Sequence, residues 1–387
     1  MNSTAARPLE PLAAPLARAL PAWVYDHPEM ARLEYERLLK PSWQIVCHVS
    51  SLERSGDFVT LDVGADSVVA VRTSQGEIQV FHNVCRHRGA RILEGAGNCP
   101  GAITCPYHGW SYKLSGELLG MTARETFPPL DRTQLALKPV RSQVLFGFVF
   151  MCLAGTARPL EEIWAGVAAE FAPHRFADMR PFGSMYIEHW DCDWKVAMDN
   201  YLESYHVPVG HPGLNRMFTP DYEDQLNLPG VARGIGWLRE RPSSRWSERM
   251  YQKLIGGVSA DLPEPHRRRW SFYSMLPNLG IDVFPDQMDF FQVLPRGPGK
   301  CTIRGASFAH PDERREMRVV RYLSTRINRQ VQREDEFLCR RVQRGLASGS
   351  YEPGPLSRLE NCMLEFHDLL RERIPEARQP SPPLRFS

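Results

Sequence analysis

The chain has 387 residues, of which 43% are hydrophobic and 24% charged, so it is long enough for two domains that each bury a core. The net charge is only +2, which argues against nucleic acid or an anionic membrane as a partner and favours a small molecule. No apolar run reaches the roughly 18 residues of a membrane span, and the Ala/Pro-rich residues 1–21 lack the apolar stretch of a secretory signal, so a cytoplasmic protein is expected.

The first 155 residues are predicted to form a short helical segment followed by a small antiparallel β domain. The apolar spacing predicts a helix from Pro28 to Lys40. Turn signals such as Ser-Gly and Gln-Gly separate the short β-rich runs that follow. The predicted strands are Trp43–Val49, Phe58–Val63, Ser67–Arg72 and Glu77–His82, then a hairpin over Ser111–Leu118 and an apolar strand over Gln143–Cys152.

The remainder of the chain mixes helical and strand patterns, and the fold class predicted for the whole protein is α+β. The larger domain is expected to hold a mainly antiparallel sheet covered by helices. Its predicted helices are 160–171, 194–205, 313–345 and 356–373, and its predicted strands are 185–190, 270–275, 288–294 and 302–309. The expected organisation is an N-terminal segment 1–40, a β domain 41–155, a catalytic domain 156–378 and a disordered tail 379–387.

Two short Cys/His loops form the first candidate metal site. Cys85-Arg86-His87 is followed, after seventeen residues, by Cys105-Pro106-Tyr107-His108. Two thiolates on one iron and two imidazoles on the other are the ligands of a Rieske [2Fe-2S] cluster. The neutral imidazoles raise the reduction potential, so such a cluster suits electron transfer to an oxygen-activating site.

The main alternative for these four residues is a structural zinc site. Zinc loops usually separate paired ligands by two to four residues, whereas only Arg86 lies between Cys85 and His87. The nine cysteines are an odd number spread along the chain, which argues against a disulfide framework and leaves some of them for a metal. Glycines around both loops allow backbone amides to approach sulfur closely.

The second candidate metal site begins with His206 and His211. Five residues apart on one continuous helix, they would diverge by about 140°. Pro208 and Gly210 are expected to end the helix after His206 and to turn His211 back toward the same point.

A third ligand is needed for a 2-His-1-carboxylate iron site, which leaves positions open for O2. On the long predicted helix, Asp335 fits an apolar face, and Glu334 fits it nearly as well, so periodicity does not choose between them. Glu203 stands three residues before His206 and is expected to accept a hydrogen bond from its free ring nitrogen. Asn200, on the same helix, is a further candidate near the metal.

The order of these motifs resembles the α subunit of the Rieske ring-hydroxylating oxygenases. The resemblance rests on Cys-x-His, Cys-x-x-His and Asn-Tyr-Leu-Glu-x-Tyr-His with His-Pro soon after, and it covers about Trp23 to Glu376. It implies that Cys85 and Cys105 hold one cluster iron, that His87 and His108 hold the other, and that the mononuclear Fe(II) is bound by His206, His211 and Asp335. The family's late acidic motif is matched by residues 332–335, which is why Asp335 is preferred over Glu334.

The resemblance also implies an assembly and a redox partner. In the family a carboxylate connects an iron histidine of one subunit to a cluster histidine of the next, and here that residue is Glu203, where many members have Asp. A head-to-tail contact of this kind closes into a homotrimer. Gly234-Ile235-Gly236 lacks the third glycine of a dinucleotide fingerprint, so NAD(P)H is expected to act only through a separate flavin/iron-sulfur reductase, with or without a ferredoxin.

The resemblance implies an oxygenase that acts on a small organic substrate with O2. Mono- or cis-dihydroxylation of an aromatic ring is ranked first, and N- or O-demethylation or monooxygenation of a methylated ammonium compound is the alternative. A non-catalytic Rieske electron carrier is the reading from another functional class. The candidate pocket walls are Phe272, Tyr273, Met275, Phe290 and Phe291, and for any one of them core packing ranks ahead of a role in the pocket.

Overall fold

A computed structural model describes residues 17–225 and 230–386. Within these ranges the chain forms three small antiparallel sheets in its first half and one seven-stranded antiparallel sheet in its second. The α+β class expected from the sequence is therefore confirmed. No helix in the described ranges combines the length and apolarity that crossing a membrane would require.

The N-terminal part begins with helix α1, Pro28–Glu34, which continues as one wide turn over Tyr35–Leu39. Pro28 occupies the first helical position, where its missing N–H costs nothing, and the ring of His27 accepts a hydrogen bond from the amide of Glu29. The ten strands are β1 Gln44–His48, β2 Asp57–Val63, β3 Asp66–Arg72, β4 Ile78–His82, β5 Ala96–Asn98, β6 Ala102–Thr104, β7 Ser111–Lys113, β8 Leu118–Gly120, β9 Arg141–Leu145 and β10 Phe148–Cys152. They pair in the orders β4-β3-β2-β5, β6-β7-β8 and β1-β10-β9.

One predicted strand of this part is wrong. The run Gln143–Cys152 is not a single strand but a hairpin of β9 and β10. Phe146 and Gly147 form its turn with φ angles of 53° and 83°, the two positive values of a type I′ turn. The apolar run concealed the turn because a phenylalanine occupies the first of these positions. Strand β10 ends at Cys152, and we propose to keep the domain boundary near residue 155.

The C-terminal part is built on a seven-stranded sheet in the order β11-β17-β16-β15-β14-β13-β12. Its strands are β11 Arg180–Trp190, β12 Glu223–Gln225, β13 Val231–Trp237, β14 Arg269–Met275, β15 Leu279–Val283, β16 Met288–Pro295 and β17 Cys301–Ala309. Strands β13 and β15 were not predicted, since each is short and carries glycine in place of a β-branched residue at one or more positions.

Helices cover this sheet. They are α2 Leu160–Trp164, α3 Ala168–Phe171, α4 Trp194–Tyr201, α5 Val207–Gly210, α6 Pro212–Met217, α7 Trp246–Val258, α8 Glu264–Arg267, α9 Arg315–Leu346 and α10 Asn361–Arg373. Helix α9 agrees closely with the predicted long helix. Helix α7 was not predicted because charged residues and a pair of glycines interrupt the apolar pattern on its buried face.

Strand alternation gives the large sheet two different faces. One face carries Tyr273, Phe290 and Phe308, which pack with Phe148 of β10 and Phe171 of α3 in an apolar core. The opposite face is covered by α4 and α9 and borders the main cavity. The sheet therefore separates a packed core from the space in which a ligand can bind.

A buried ion cluster connects helix α1 to helix α4, which precedes His206 and His211. Nζ of Lys195 lies 2.6 Å from Glu34 and 2.5 Å from Asp193, and all three side chains are almost fully buried. The indole of Trp194 donates a 2.7 Å hydrogen bond to the second oxygen of Glu34. The start of α4 is thus fixed by charge pairing as well as by apolar packing.

The tail, expected to be disordered, is described as far as Phe386. The ring of Phe386 stacks on that of His27, with centroids 5.0 Å apart. The indole of Trp23 donates a hydrogen bond to the carbonyl of Gln379. These contacts place the C-terminal residues against the N-terminal segment.

Candidate metal centres and active site

The two Cys/His loops of the N-terminal part share one backbone arrangement. In each, the cysteine amide donates to the carbonyl five residues later, and the glycine amide four residues later donates back to the cysteine carbonyl. Gly89 and Gly109 adopt positive φ angles of 75° and 70°, which a glycine reaches without strain. The equivalent turns present Cys85 and Cys105 from two facing loops.

The four predicted cluster ligands lie together. Both cysteines are buried, and the rings of His87 and His108 are 4.8 Å apart between centroids. Nδ1 of His87 is buried without a hydrogen-bond partner among the described residues, although a buried polar nitrogen ordinarily has one. A metal at this nitrogen removes that cost, so the residues fit a cluster with two thiolate and two imidazole ligands.

Neighbouring side chains hold this arrangement. Trp110 stacks on His87 with centroids 4.8 Å apart and planes 8° from parallel. The hydroxyl of Tyr112 lies 3.3 Å from Sγ of Cys85 and accepts from the amide of Arg86 at 3.0 Å. Sequence reasoning missed both aromatic residues, although each follows the second loop directly.

His206, His211 and Asp335 converge in the C-terminal part. Nε2 of His206 lies 3.0 Å from Nε2 of His211, and Oδ1 of Asp335 lies 3.0 Å from His211 and 3.6 Å from His206. These are the only three His, Cys, Asp or Glu side chains in the described ranges whose ligand atoms all approach within 4.8 Å. Two nitrogens and one oxygen around a common point match the donor set of a 2-His-1-carboxylate iron site.

The local fold that brings the two histidines together differs from the prediction. Helix α4 ends at Tyr201 rather than at Tyr205, so Glu203 and His206 lie in the connection after it. Pro208 does not end a helix but occupies the first turn of α5. A Cβ on Gly210 would lie 2.9 Å from Leu338 of α9, so the glycine allows this turn to approach the helix that carries Asp335.

The three converging groups stabilise one another's charge in the metal-free chain. Burial lowers the pKa of His206, but hydrogen bonds to Asp335 and Glu203 outweigh burial and raise it to about 9. Burial raises the pKa of Asp335, and the hydrogen bonds from both histidines reverse this and lower it overall. Negative charge on Asp335 is therefore favoured where a cation would bind.

Each histidine also has a carboxylate on its other ring nitrogen. Oε1 of Glu203 lies 2.5 Å from Nδ1 of His206, as expected, and its Oε2 accepts from the backbone amide of the same histidine. Oε2 of Glu334 lies 2.9 Å from Nδ1 of His211. Glu334, considered as a possible ligand, thus supports a histidine, while Asp335 faces the common point. Nδ2 of Asn200 lies 3.5 Å from Nε2 of His206.

A cavity of about 450 Å³ opens beside the three converging groups and is lined by Asp335, Asn200 and His211. Of the predicted wall residues, Phe272 and Phe291 line it. Tyr273, Met275 and Phe290 do not, because strand alternation turns them into the core on the other face of the sheet. For these three, the core-packing alternative is correct.

Asp282 and Asp289 are among the cavity-lining residues that the sequence analysis did not predict. Asp282 and Asp289 lie directly opposite each other on β15 and β16. Polar residues within apolar strands were the available signal, but β15 itself had not been predicted.

The chain matches two family models. Residues 42–135 match the Rieske [2Fe-2S] domain, and residues 176–376 match the ring hydroxylating α subunit (catalytic domain). Each match contains one of the two metal motifs described above.

A characterised relative and solved structures agree with these matches. Chloroplastic choline monooxygenase of Arabidopsis thaliana is 30% identical over 377 residues, which cover 93% of this chain and 84% of that protein. A quaternary ammonium Rieske monooxygenase linked to carnitine oxidation superposes with a TM-score of 0.78 at 22% identity, over 92% of this chain and 96% of the other. Naphthalene 1,2-dioxygenase of Rhodococcus sp. superposes with a TM-score of 0.76 at 21% identity, over 91% of this chain and 93% of the other. The chain belongs to the ring-hydroxylating α subunits of the Rieske oxygenases, which are oxidoreductases that incorporate O2 and carry a [2Fe-2S] cluster and a mononuclear iron.

Proposed function

We propose that this chain is the oxygenase component that inserts oxygen into a small methylated ammonium compound. The family resemblance of the sequence placed aromatic hydroxylation first, and we reverse that order. The observation that carries the proposal is the cavity beside His206, His211 and Asp335, whose walls combine aromatic rings with carboxylates. Aromatic faces attract alkylated ammonium groups. The similarity to choline monooxygenase over 93% of the chain supports the same substrate class.

Hydroxylation of a neutral aromatic ring remains the second candidate. Phe272 and Phe291 offer flat apolar walls for a ring, and the fold is shared with naphthalene 1,2-dioxygenase. The carboxyl groups on the same walls favour a cation over this candidate, because a cation would stabilise their ionised form whereas a neutral ring would not.

The proposed site assignments follow the converging atoms. Cys85 and Cys105 are proposed for one cluster iron and His87 and His108 for the other, and His206, His211 and Asp335 are proposed for the mononuclear iron. When bound, the cluster would deliver electrons to the mononuclear iron, where O2 is activated. Glu203 and Glu334 would fix the tautomers of His206 and His211, since each accepts from a ring Nδ1 and leaves Nε2 directed at the metal.

We also propose a homotrimer supplied with electrons by a separate reductase in the cytoplasm. Glu203 would connect His206 to His108 of the partner subunit. Its carboxylate accepts from His206 of its own chain and would use a further lone pair to accept from the ring of the partner's His108. The half-exposed position of His108 is compatible with such a contact. A folded monomer with both metal sites filled would test this, and substantial reductase-coupled turnover by that monomer would refute the connection.

A single turnover tests the proposed reaction. Chemically reduced protein with both iron sites filled would be given O2 and a panel of methylated ammonium compounds and neutral aromatics, and products would be identified by mass spectrometry. Hydroxylation or demethylation of an ammonium compound is expected. Oxygen addition to a neutral aromatic, with no ammonium product, would establish the second candidate instead.

A further inference from the structure

Two carboxylates face each other across neighbouring strands on the cavity wall. Asp282 of β15 and Asp289 of β16 are directly paired in register. Like charges directly opposite each other in an antiparallel pair are destabilising, so this placement needs a compensating feature. Both side chains line the cavity beside the metal-binding residues.

The protein surrounds this pair with neutral hydrogen-bond donors rather than with cations. The hydroxyl of Tyr201 donates to Asp282 at 2.7 Å, and the amide of Gln287 donates to Asp289 at 2.8 Å. Over residues 17–225 and 230–386, neither carboxylate forms an ion pair with Arg, Lys or His. Burial raises the pKa of Asp282 to about 8 and that of Asp289 to about 7, as expected for carboxyls without a nearby positive charge.

The positive side chains on the cavity wall do not neutralise the pair. Arg233 is committed to an ion pair with Glu170. Arg329, on α9, also lines the cavity but is exposed to solvent. The acid pair therefore places two carboxyl groups without a protein cation on the inner wall, and a cationic ligand beside them would favour their ionised form.

A buried acceptor near the pair also lacks a partner. Oε1 of Gln287 has no hydrogen-bond partner among the described residues, while the same side chain lines the cavity and is 1% exposed. An unmade hydrogen bond at a buried oxygen is unfavourable, because the oxygen has lost its water partners without gaining a donor from the protein. This oxygen points, independently of the two carboxylates, to a ligand that carries positive charge or a donor.

Aromatic rings complete the surroundings of the pair. Tyr201, which holds Asp282, meets Phe291 edge to face with centroids 4.5 Å apart. Phe272 lies directly opposite Asp282 on the adjacent strand β14. All three side chains line the cavity. A methylated ammonium group placed here would contact ring surfaces and lie near two carboxylates at once.

We propose that Asp282 and Asp289 form the charge-recognising part of the substrate site and select a cationic substrate over a neutral one of the same shape. This inference rests on the proposed function and deepens it. The pair is assigned to recognition only. The metal-binding side chains remain those proposed above.

The test compares two ligands that differ only in charge. Choline and its neutral carbon analogue 3,3-dimethylbutan-1-ol would be titrated into the enzyme with both iron sites filled, and dissociation constants would be measured by calorimetry. Both titrations would be made at pH 9, above the raised pKa values of Asp282 and Asp289. At this pH the wild type is expected to bind choline at least about tenfold more tightly than the alcohol, and Asp282→Asn is expected to reduce that ratio about tenfold. Asparagine keeps an oxygen that can accept from Tyr201, so the variant retains the shape of the site.

A matched control separates the effect of a carboxyl on the cavity wall from the general effect of losing a buried carboxyl. Asp286→Asn makes the same change at a buried carboxyl that accepts from Tyr251 and does not line the cavity. It is expected to keep the wild-type ratio. If the wild type does not distinguish the two ligands, the proposed cationic substrate fails. If the wild type distinguishes them and Asp282→Asn and Asp289→Asn both keep the ratio, the acid-pair inference fails while the proposed function stands.

Discussion

Nδ1 of His211 and Oε2 of Glu334 lie 2.9 Å apart, and Glu334 immediately precedes Asp335 on helix α9. One helix therefore supplies both a carboxylate that faces the metal position and a carboxylate that holds a histidine in place. Glu334 is itself held by the side-chain amide of Gln330 at 2.8 Å. The two adjacent acids, which periodicity could not rank, have separate roles in this geometry.

We expect Glu334→Gln to weaken retention of the mononuclear iron by about 10- to 100-fold, the usual effect of losing a carboxylate behind a metal-bound histidine. Iron bound after a graded chelator challenge would be measured, with the cluster absorbance as an internal reference. Glu336→Gln, two residues along the same helix, removes a carboxylate that lies 3.6 Å from Arg340 and serves as the control. Equal iron loss in the two variants would contradict the role assigned to Glu334.

The residues proposed to bind metal lie together as the sequence predicted, whereas the cavity walls differ from the prediction. Cys85, His87, Cys105 and His108 lie on two short loops whose spacing is itself the signal, so no long-range contact had to be guessed. Asp335 required the family motif, because the helical pattern accommodated Glu334 nearly as well.

The cavity walls could not be predicted because they depend on which face of the sheet each strand residue occupies. A shift of one residue exchanges the two faces of a strand, and Phe272 and Tyr273 lie on opposite sides of β14. Asp282 was not predicted to line the cavity because its strand, β15, is short and contains Gly280. The ends of α4 and α5 likewise depend on contacts with α9 that local patterns do not encode.

The acid pair predicts a pH dependence of stability. Burial raises the folded-state pKa of Asp282 from 3.8 to about 8, so the folded chain holds a proton that the unfolded chain releases. Its contribution to the free energy of unfolding is therefore fully present below about pH 4 and is lost as the pH rises through about 8. The melting temperature of the metal-free wild type should fall, relative to that of Asp282→Asn, between these limits. A constant difference between the two proteins across this range would contradict the raised pKa.

Gly305 is predicted to set the shape of the cavity wall. A Cβ at this position would overlap the hydroxyl end of Tyr186, which lines the cavity, and would lie 2.6 Å from the carbonyl of Phe290. Gly305→Ala should destabilise the fold by about 1–3 kcal/mol and weaken choline binding because Tyr186 must move. Melting temperature and calorimetric affinity would be compared with those of Gly257→Ala, a position on α7 with no neighbour within 4 Å. Wild-type affinity in Gly305→Ala would show that Tyr186 does not limit the site.

Removal of the Lys195 side chain is predicted to be strongly destabilising, because it leaves Glu34 and Asp193 buried without a counter-charge. We expect Lys195→Met to lower the free energy of unfolding by about 3–5 kcal/mol, the usual result of breaking a buried ion cluster from one side. Lys113→Met provides the control, since Lys113 and its partner Glu117 are both more than half exposed, and such surface pairs contribute about 0–1 kcal/mol. Urea unfolding followed by tryptophan fluorescence would measure both variants. If Lys195→Met unfolded at the same urea concentration as Lys113→Met, the ion cluster would not be what fixes α1 against the start of α4.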